Sequence, residues 1–412
     1  MPIDLIGKNN AVLPDNLSSL FRASSIIPQM TRYLSNYQTP ESGENGYIKG
    51  NVIRIRLPAS FIDFNRANLQ FTTTISANAS TYIRHRWNIG TCFSLVRVLI
   101  GSTEISQTQN FALIDSIVEL SKTESYINSV GKQLRGLGDA TARNAQANSG
   151  VTYCLYLGDT IKLLSQALPL YKIQEVMTLE FTVNDLQCLE TDGTNPQLTI
   201  NNVKFHYDTI QISPEIDNMI TQKINDKLCI PYLQYDYFNN TQMTNGINSM
   251  ATQLPFRQIS LAGVLAVARN SANLSNPAIN DTYNSFLGYS NFVSDYLKFN
   301  NVIMPNDKCD SQNDQLTLTL EFFGKCLGNS DVYFCQDWAN KFIMAFSLMQ
   351  DSKQAYEPSE TTVQGVSGSS SGMSLIHNLQ LSANAVNLQL DYFSLYYGCI
   401  RINPNGTITY SS

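Results

Sequence analysis

The chain has 412 residues, too many for one ordinary core and about right for two domains. Hydrophobic residues make up 43 % of the chain, which is enough for two packed cores and excludes an intrinsically disordered protein. Only 15 % of residues are charged and the formal net charge is −6, with no long basic run, so direct nucleic-acid binding is not expected. A neutral polar surface of this kind is typical of extensive protein–protein contact, or simply of a β protein with polar loops.

Residues 1–46 are predicted to form an N-terminal arm. Pro14, Pro28 and Pro40 interrupt the segment, and its apolar residues follow no sustained period. Such a segment either reaches a neighbouring subunit or forms a disordered tail. It lacks the apolar region of a signal peptide. The longest apolar run of the chain, Leu261–Ala268, is too short to cross a bilayer.

The first β-rich unit is predicted over residues 47–192. Ile53 and Ile55 alternate with arginines, which is the period of a half-buried strand. Similar runs follow along the unit. Gly101-Ser102 separates two of them and predicts a tight hairpin turn.

One segment of this unit has a helical period instead. In Ala112–Ile127 the apolar residues share one helical face, and Glu119 and Lys122 are expected to point outward. The following residues, Gly131–Gly150, are rich in Ala, Asn and Gly and are predicted to form a loop. The unit is therefore a β structure with one inserted helix.

A cluster of turn formers at Thr191–Pro196 marks the predicted start of the second unit, residues 193–412. The unit opens with strand-like residues from Leu198 and continues into a helix that begins after Ser213. Further predicted elements are strands at Gln258–Ala268, Asp295–Phe299, Leu316–Phe322, Leu375–Leu381 and Leu388–Tyr396, and a second inserted helix within Tyr333–Ile343.

The two units end with similar segments. Met177–Asn184 and Asn387–Ser394 both alternate apolar and polar residues with a period of two, and each follows a series of short strand-like runs. This duplication predicts an all-β chain that builds one sandwich and then another.

Eight cysteines are scattered along the chain, and none forms a C-x-x-C pair, so zinc and thioredoxin-type sites are excluded. An even number would permit four disulfides, but a chain of this length does not need them. We therefore predict reduced, mostly buried thiols. The eight are Cys92, Cys154, Cys188, Cys229, Cys309, Cys326, Cys335 and Cys399.

No group of residues has the spacing of a catalytic or metal site. The three histidines, His85, His206 and His377, lie far apart and lack metal-ligand spacing. Gly368–Gly372 matches the G-x-S-x-G nucleophile pattern, but a Ser/Gly-rich loop produces that match by composition alone. The prediction is a protein that is not an enzyme, with no catalytic residues, no cofactor and no metal ligands.

The segments around the two tryptophans, Trp87 and Trp338, each have two interpretations. The densest basic spot is Arg84-His85-Arg86, next to Trp87. It fits a phosphate contact or, as we favour, a solvated or interface turn. Trp338 is predicted to anchor a core or an interface.

Four passages, taken in order along the chain, resemble a known family. They are Phe93–Gly101 with Thr103–Ile105 and the helix that follows, Leu168–Leu170 leading into Leu179–Phe181, Ile200–Val203 through Ser213–Glu215, and the Ser/Gly loop before Asp391–Phe393. In this order the chain resembles the double jelly-roll major capsid proteins. That family includes adenovirus hexon and the coat proteins of membrane-containing tailless phages, virophages and polinton-like viruses.

The resemblance implies two consecutive eight-stranded jelly rolls with short inserted helices. It also implies a homotrimer of pseudo-hexameric outline that tiles an icosahedral shell in the virion and is assembled inside the host cell. The implied partners are neighbouring capsomers, minor capsid or penton proteins and an internal membrane, but not nucleic acid. The arm, Met1–Tyr47, would bind neighbours or the inner face of the capsid, and the loops Gly131–Gly150 and Thr241–Ala251 would be candidates for the outer surface.

The main alternative is a β-sandwich that binds a carbohydrate or a receptor, like the head of a viral fibre. It requires an exposed face of aromatic and acidic residues, for which the aromatic loop Tyr283–Tyr296 is a candidate. It gives no reason for a duplicated scaffold.

Overall fold

The computed structural model describes residues 31–147, 151–185, 188–226, 228–278, 283–325, 331–349, 366–368 and 373–411. Most of the predicted arm and most of the Ser/Gly loop lie outside these residues. The described part of the chain consists mainly of antiparallel strands.

The strands of the first half form two sheets and a small ribbon. One sheet has the order β1-β11-β3-β7, with β8 also paired to β3, and the other has the order β2-β9-β5-β6. The ribbon pairs β4 with β10. The strands are β1 (Thr31–Gln38), β2 (Val52–Arg56), β3 (Phe61–Asn78), β4 (Ile83–His85), β5 (Phe93–Ile100), β6 (Thr103–Gln109), β7 (Thr152–Tyr156), β8 (Ala167–Pro169), β9 (Met177–Val183), β10 (Leu189–Thr191) and β11 (Thr194–Ile212).

The second half repeats this arrangement. Its sheets have the orders β12-β19-β14-β17, with β20 paired to β19, and β13-β18-β15-β16. The strands are β12 (Cys229–Met243), β13 (Ser249–Gln253), β14 (Leu261–Asn270), β15 (Phe292–Phe299), β16 (Val302–Cys309), β17 (Ile343–Ser347), β18 (Leu375–Leu381), β19 (Leu388–Ile402) and β20 (Ile408–Ser411).

The strand orders of the two halves correspond one to one. If the eight principal strands of each half are numbered along the chain, both halves give one sheet of order 1-8-3-6 and one of order 2-7-4-5. Each half is thus an eight-stranded sandwich of two four-stranded sheets with jelly-roll connections. The fold is a double jelly roll, as the sequence predicted.

Two strand pairings cross the domain bounds that the sequence predicts. β1 falls in the predicted arm, yet it pairs with β11 along its whole length. β11 falls in the predicted second unit, yet it pairs with β3. Both strands therefore belong to the sheet of the first jelly roll. The sequence did not show this, because the partners that they hydrogen-bond lie far away along the chain. We propose a boundary after Ile212 in place of the division at residues 192 and 193.

The similar segments at the ends of the two predicted units are not equivalent strands. β9 corresponds in sheet order to β18, whereas β19 corresponds to β11. Alternation of apolar residues recurs in most half-buried strands, so similarity of pattern does not identify which strand a segment forms. The duplication itself is confirmed by the sheet orders.

The helices lie between strands at three places. The first group follows β6, the second connects the two halves, and the third follows β16. They are α1 (Phe111–Leu120), α2 (Glu124–Asn128), α3 (Val130–Arg135), α4 (Ala140–Ala147), α5 (Pro214–Asn225), α6 (Gln312–Phe322) and α7 (Tyr333–Gln336). None of the helices in the described ranges is long and apolar enough to cross a membrane.

Local sequence explains several of these elements. In β2 the isoleucines are buried and the arginines exposed, as the alternation predicted. Gly101 has a φ of 59°, a left-handed conformation that favours glycine in the turn between β5 and β6. Ser213 caps α5 by accepting a hydrogen bond from the Ile216 N–H. The hairpin and the α5 prediction are therefore confirmed.

Three local predictions were wrong. Glu119 does not point outward, since all ten residues of α1 are buried. Most of Gly131–Gly150 is helical, in α3 and α4, rather than a loop. The predicted strand Leu316–Phe322 lies in α6. Its leucines alternate as in a strand, but Ser311 caps a helix by accepting a hydrogen bond from the Asp314 N–H at 3.1 Å.

The two apolar cores interlock across the boundary. Tyr232 of β12 and Ile400 of β19 belong to the core of the first jelly roll. Most of α1, which follows a first-half strand, belongs to the core of the second. The halves therefore share buried surface instead of meeting only through polar contacts.

Candidate functional site

The helices that follow β6 contact the helices that follow β16. Thr123, just before α2, forms a β-bridge with Val332, just before α7. The Tyr333 N–H donates to the Lys122 carbonyl at 2.8 Å, and the Glu124 N–H donates to the Asp331 carbonyl at 3.0 Å. We call this contact between residues 122–124 and 331–333 the helix junction.

A buried charged cluster lies beneath the helix junction. The Arg135 guanidinium is 2.6 Å from the Asp115 carboxylate and 3.0 Å from the Glu119 carboxylate. Lys122 is 3.3 Å from Glu119 and also pairs with Asp159. Asp115 and Glu119 project from α1 and Arg135 ends α3, so the cluster ties the two helices together.

The cluster has more carboxylates than cations. The carboxylates of Asp115, Glu119 and Asp159 face the cations of Arg135 and Lys122. Burial raises the pKa of Glu119, and the nearby positive charges of Arg135 and Lys122 offset only part of that effect. Glu119 therefore binds a proton more tightly than an ordinary glutamate does.

The basic spot at residues 84–86 is buried, so the prediction of a solvated turn was wrong. Arg84 pairs with Glu190 of β10, and Arg143 of α4 approaches the same carboxylate at 3.5 Å. Arg86 is fully buried and its Nε donates to the Leu189 carbonyl at 3.1 Å. Because these cations are occupied inside the protein, they offer no phosphate contact.

Trp87, beside this basic spot, joins it to the helix junction. Its indole is buried and stacks on the Tyr333 ring, with centroids 5.5 Å apart and planes 22° apart. Its φ of 62° lies in the left-handed region, which a bulky residue seldom adopts. The tryptophan thus packs a first-half loop against a second-half helix.

The three histidines are structural strand residues in separate places. The His85 Nε2 is 2.8 Å from the Thr73 hydroxyl, and burial together with Arg143 lowers the His85 pKa to about 4. His206 contacts Gln70 on the sheet surface. Within the described ranges, no three His, Cys, Asp or Glu residues are placed to hold a metal ion.

His377 belongs to a polar group that the sequence analysis missed. It is buried on β18, with Nδ1 3.1 Å from the Tyr392 hydroxyl and Nε2 3.8 Å from the Asp295 carboxylate. Burial raises the pKa of Asp295, which is fully enclosed. The sequence signal that could have revealed this group is a polar residue at an inward position of a strand. Asp295 has such a position in β15.

The prediction that all thiols are reduced was wrong for one pair. Cys229 of β12 and Cys399 of β19 form a disulfide, with Cα atoms 6.1 Å apart on neighbouring strands. Their sequence separation of 170 residues concealed this proximity. The other cysteines that the structure describes are free thiols, namely Cys92, Cys154, Cys188, Cys309 and Cys335.

The remaining sequence candidates are the G-x-S-x-G match and Trp338. Of the G-x-S-x-G match only Gly368 is described, and its N–H donates to the Gln258 carbonyl at 2.8 Å. The other four residues of the match, 369–372, lie outside the described residues. Trp338 is a core anchor as predicted, packed against Phe334 and Phe342.

A small cleft of about 110 Å³ opens where β6 approaches β12. Tyr396 and Tyr410 line it together with the carboxylates of Glu104 and Asp236. We call it the seam cleft, since it borders both jelly rolls. Its lining offers aromatic rings and hydrogen-bond acceptors, but no nucleophile paired with a base.

Comparison with known proteins agrees with this architecture. No protein-family model and no curated protein sequence matches the chain. Solved structures do match. The PBCV-1 virus capsid aligns with a TM-score of 0.62 at 12 % identity, covering 95 % of this chain and 99 % of that one.

Two further structures align over similar lengths. The Faustovirus major capsid protein has a TM-score of 0.63 at 8 % identity, covering 96 % of this chain and 94 % of that one. The Sputnik virophage structure has a TM-score of 0.58 at 11 % identity, covering 100 % and 92 %. The chain therefore has the double jelly-roll fold found in viral major capsid proteins.

Proposed function

We propose that this protein is a viral major capsid protein, a structural subunit that forms homotrimers of pseudo-hexameric outline and tiles an icosahedral shell. The observation that carries the proposal is the duplicated jelly roll with matching strand orders. Two similar sandwiches in one chain give a trimer six similar units around its axis, which suits a hexagonal lattice. The full-length alignments with viral capsid structures support the same role.

The interior of the molecule supports a structural rather than an enzymatic role. Its buried charges pair with each other, and the shared cores hold the two jelly rolls together. A rigid block of this kind can carry the large apolar interfaces of an obligate oligomer. The low charge content also favours protein contacts over contacts with nucleic acid.

The proposal places the protein in the virion, after assembly inside the host cell. Its partners would be two further copies in the trimer, then neighbouring capsomers and minor capsid or penton proteins, with an internal membrane as a further candidate. Nucleic acid is not among them, because the densest basic spot is buried and paired within the chain.

The test is the mass of the purified protein by size-exclusion chromatography with light scattering. One chain has a mass of 46.0 kDa, so the expected trimer has a mass of 138 kDa. Electron microscopy of the same sample should show particles with a hexagonal outline, and concentrated samples should form sheets or shells. A folded monomer that never assembles would contradict the proposal.

A second candidate function is glycan binding, which the seam cleft favours. Aromatic rings beside carboxylates and amides are a suitable lining for a sugar. Glycan-array binding that is lost in Tyr396→Ala, with the mass of a monomer, would favour this function over the capsid proposal. Assembly without glycan binding would exclude it.

A further inference from the structure

Two buried thiols of the first jelly roll lie beside each other without a covalent bond between them. Cys92 ends a short helical turn that leads into β5, and Cys188 directly precedes β10. Both side chains are fully buried, and the two thiols are in hydrogen-bond contact. A disulfide requires two sulfur atoms side by side, so this contact meets the first condition for such a bond.

The backbone holds the two cysteines together from both directions. The Arg86 N–H donates to the Cys188 carbonyl at 2.8 Å, and the Asn184 N–H donates to the Cys92 carbonyl at 2.7 Å. Each cysteine is therefore fixed by a backbone bond to the segment that carries the other one. The contact between the thiols follows from this pairing and needs no rearrangement of the strands.

An imidazole lies beside one of the two thiols. The His85 Nδ1 is 3.6 Å from the Cys92 sulfur, and the His85 Nε2 is 2.8 Å from the Thr73 hydroxyl. Because its pKa is lowered to about 4, the ring is neutral at neutral pH. In the tautomer with the proton on Nε2, the ring donates to Thr73, and its Nδ1 can accept the proton of the Cys92 thiol.

Burial determines when these thiols can react. It raises the pKa of the Cys92 thiol well above its usual value, which leaves very little thiolate at neutral pH. Only a thiolate attacks a disulfide, so the dithiol of the folded protein reacts slowly. The thiols are therefore most reactive during folding, before the core closes over them.

The other free thiols of the described ranges have different surroundings. Burial alone raises the pKa of Cys154 and of Cys335. The Cys309 thiol donates to the Ser311 carbonyl, with the sulfur 3.5 Å from the oxygen. Among the free thiols that the structure describes, Cys92 and Cys188 are thus the two that are shown in contact with each other.

We propose that Cys92 and Cys188 form a second intramolecular disulfide when the protein folds in the presence of a small-molecule disulfide such as oxidised glutathione. One cysteine thiolate attacks a glutathione sulfur, which forms a mixed disulfide and releases one glutathione. The other cysteine thiolate then attacks the protein sulfur of the mixed disulfide and releases the second glutathione. Two electrons pass to the oxidant, and the two thiol protons end on the released glutathione thiols.

The bond would close a long loop of the first jelly roll. The stretch between residues 92 and 188 contains β5 to β9 and the helices α1 to α4. Closing so long a loop removes much conformational freedom from the unfolded chain, so the bond is expected to raise the melting temperature by about 5 °C. The burial that slows oxidation of the folded dithiol also shields the finished bond from reductants.

The test is refolding of the full chain in a glutathione redox buffer, followed by alkylation in denaturant without reduction. Mass spectrometry of the peptides should find Cys92 joined to Cys188, in addition to Cys229 joined to Cys399. Refolding in excess reductant should leave Cys92 and Cys188 alkylated. Expression in cells with an oxidising cytosol gives the same measurement without refolding. Folded protein from the oxidising conditions in which both cysteines are alkylated would overturn the proposal.

A matched pair of variants tests the effect on stability. In Cys188→Ser the melting temperature of protein prepared under oxidising conditions should fall by about 5 °C, whereas protein prepared under reducing conditions should change much less. Cys154→Ser, which removes a thiol outside the pair, should show no such dependence on the redox conditions. Equal behaviour of the two variants would contradict the bond.

The outcomes separate this inference from the proposed function. Trimers and shells that form with Cys92 and Cys188 both reduced after oxidising refolding would overturn the bond and leave the capsid role standing. A joined pair in a protein that stays monomeric would support the bond and contradict the capsid role. Linkage of either cysteine to Cys229 or Cys399 in the folded protein would also overturn the inference.

Discussion

Both jelly rolls carry helices at the same topological position, yet the two sets are anchored differently. All ten residues of α1 are buried, and two of its carboxylates pair with Arg135 and Lys122. In α6, only Gln315, Thr319, Leu320 and Phe322 are buried. The same position in the fold thus holds a core element in one half and a surface helix in the other.

The difference shows how a duplicated fold becomes one rigid unit. α1 follows a strand of the first jelly roll but packs into the core of the second. Its carboxylates would be costly inside a core without partners, and the cations of α3 and of the helix junction compensate them. The first insert therefore joins the halves, whereas α6 mainly covers β17.

The largest expected effect comes from removing the cation of the charged cluster. Arg135→Ala leaves Asp115 and Glu119 buried without their main partner, which should cost about 3–5 kcal/mol of unfolding free energy. Urea unfolding measures the loss. Lys132→Ala, on the same helix but half-exposed, should change stability by less than about 0.5 kcal/mol. Equal effects of both variants would mean that the cluster does not hold the helices.

A smaller contrast is expected between apolar residues of the two inserts. Ile117 of α1 is fully buried, so Ile117→Ala should cost about 2–5 kcal/mol through lost contacts and a cavity. Leu318 of α6 is only partly buried, and Leu318→Ala should cost about 1 kcal/mol or less. Thermal unfolding of both variants compares them. A larger loss of stability in Leu318→Ala than in Ile117→Ala would contradict the conclusion that α1 is a core helix and α6 a surface helix.

The disulfide is another difference between the halves. β12 and β19 are joined by Cys229 and Cys399, whereas the equivalent strands β1 and β11 contain no cysteine. Cys229→Ser should cost about 2–4 kcal/mol in non-reducing buffer. Cys154→Ser, which removes a free thiol, is the control. Mass spectrometry after alkylation without reduction should find these two cysteines protected, and labelling of both would refute the bond.

The smallest expected effect is the pH dependence that Glu119 contributes. Its pKa is raised in the folded state by burial, so the native protein binds the proton more tightly than the unfolded chain does. The Glu119 contribution to stability is therefore full below the ordinary glutamate pKa and is lost as pH rises through the raised value. Each unit of difference corresponds to about 1.4 kcal/mol.

Glu119→Gln tests this sign. The variant should lack the loss of stability between the ordinary pKa and the raised one, so its pH–stability curve should be flatter there than that of the unmodified protein. Glu104→Gln, at an exposed position, is the control. A steeper curve in Glu119→Gln would show that ion pairing with Arg135 outweighs the effect of burial.

Much of the fold was predictable because half-buried strands carry their own signal. β2 and β5 were predicted from apolar residues on the one buried face of each strand. β14 was predicted from a continuous apolar run, because almost the whole strand is buried. β1 was missed because its exposed residues, including Tyr37 at 57 % exposure, weaken the alternation. α6 was mistaken for a strand because its leucines alternate with the period of a strand, although only Leu320 of the three is buried in the helix.

By itself the sequence determined the fold class, the presence of two sandwiches and the absence of a recognisable catalytic motif, since these depend on periodicity and composition. Only the tertiary structure decided that β1 and β11 complete the first jelly roll, that α1 belongs to the second core, and that Cys229 meets Cys399. The reason is physical. A local pattern records which side of an element avoids water, whereas the identity of its partner depends on contacts between residues far apart in the chain.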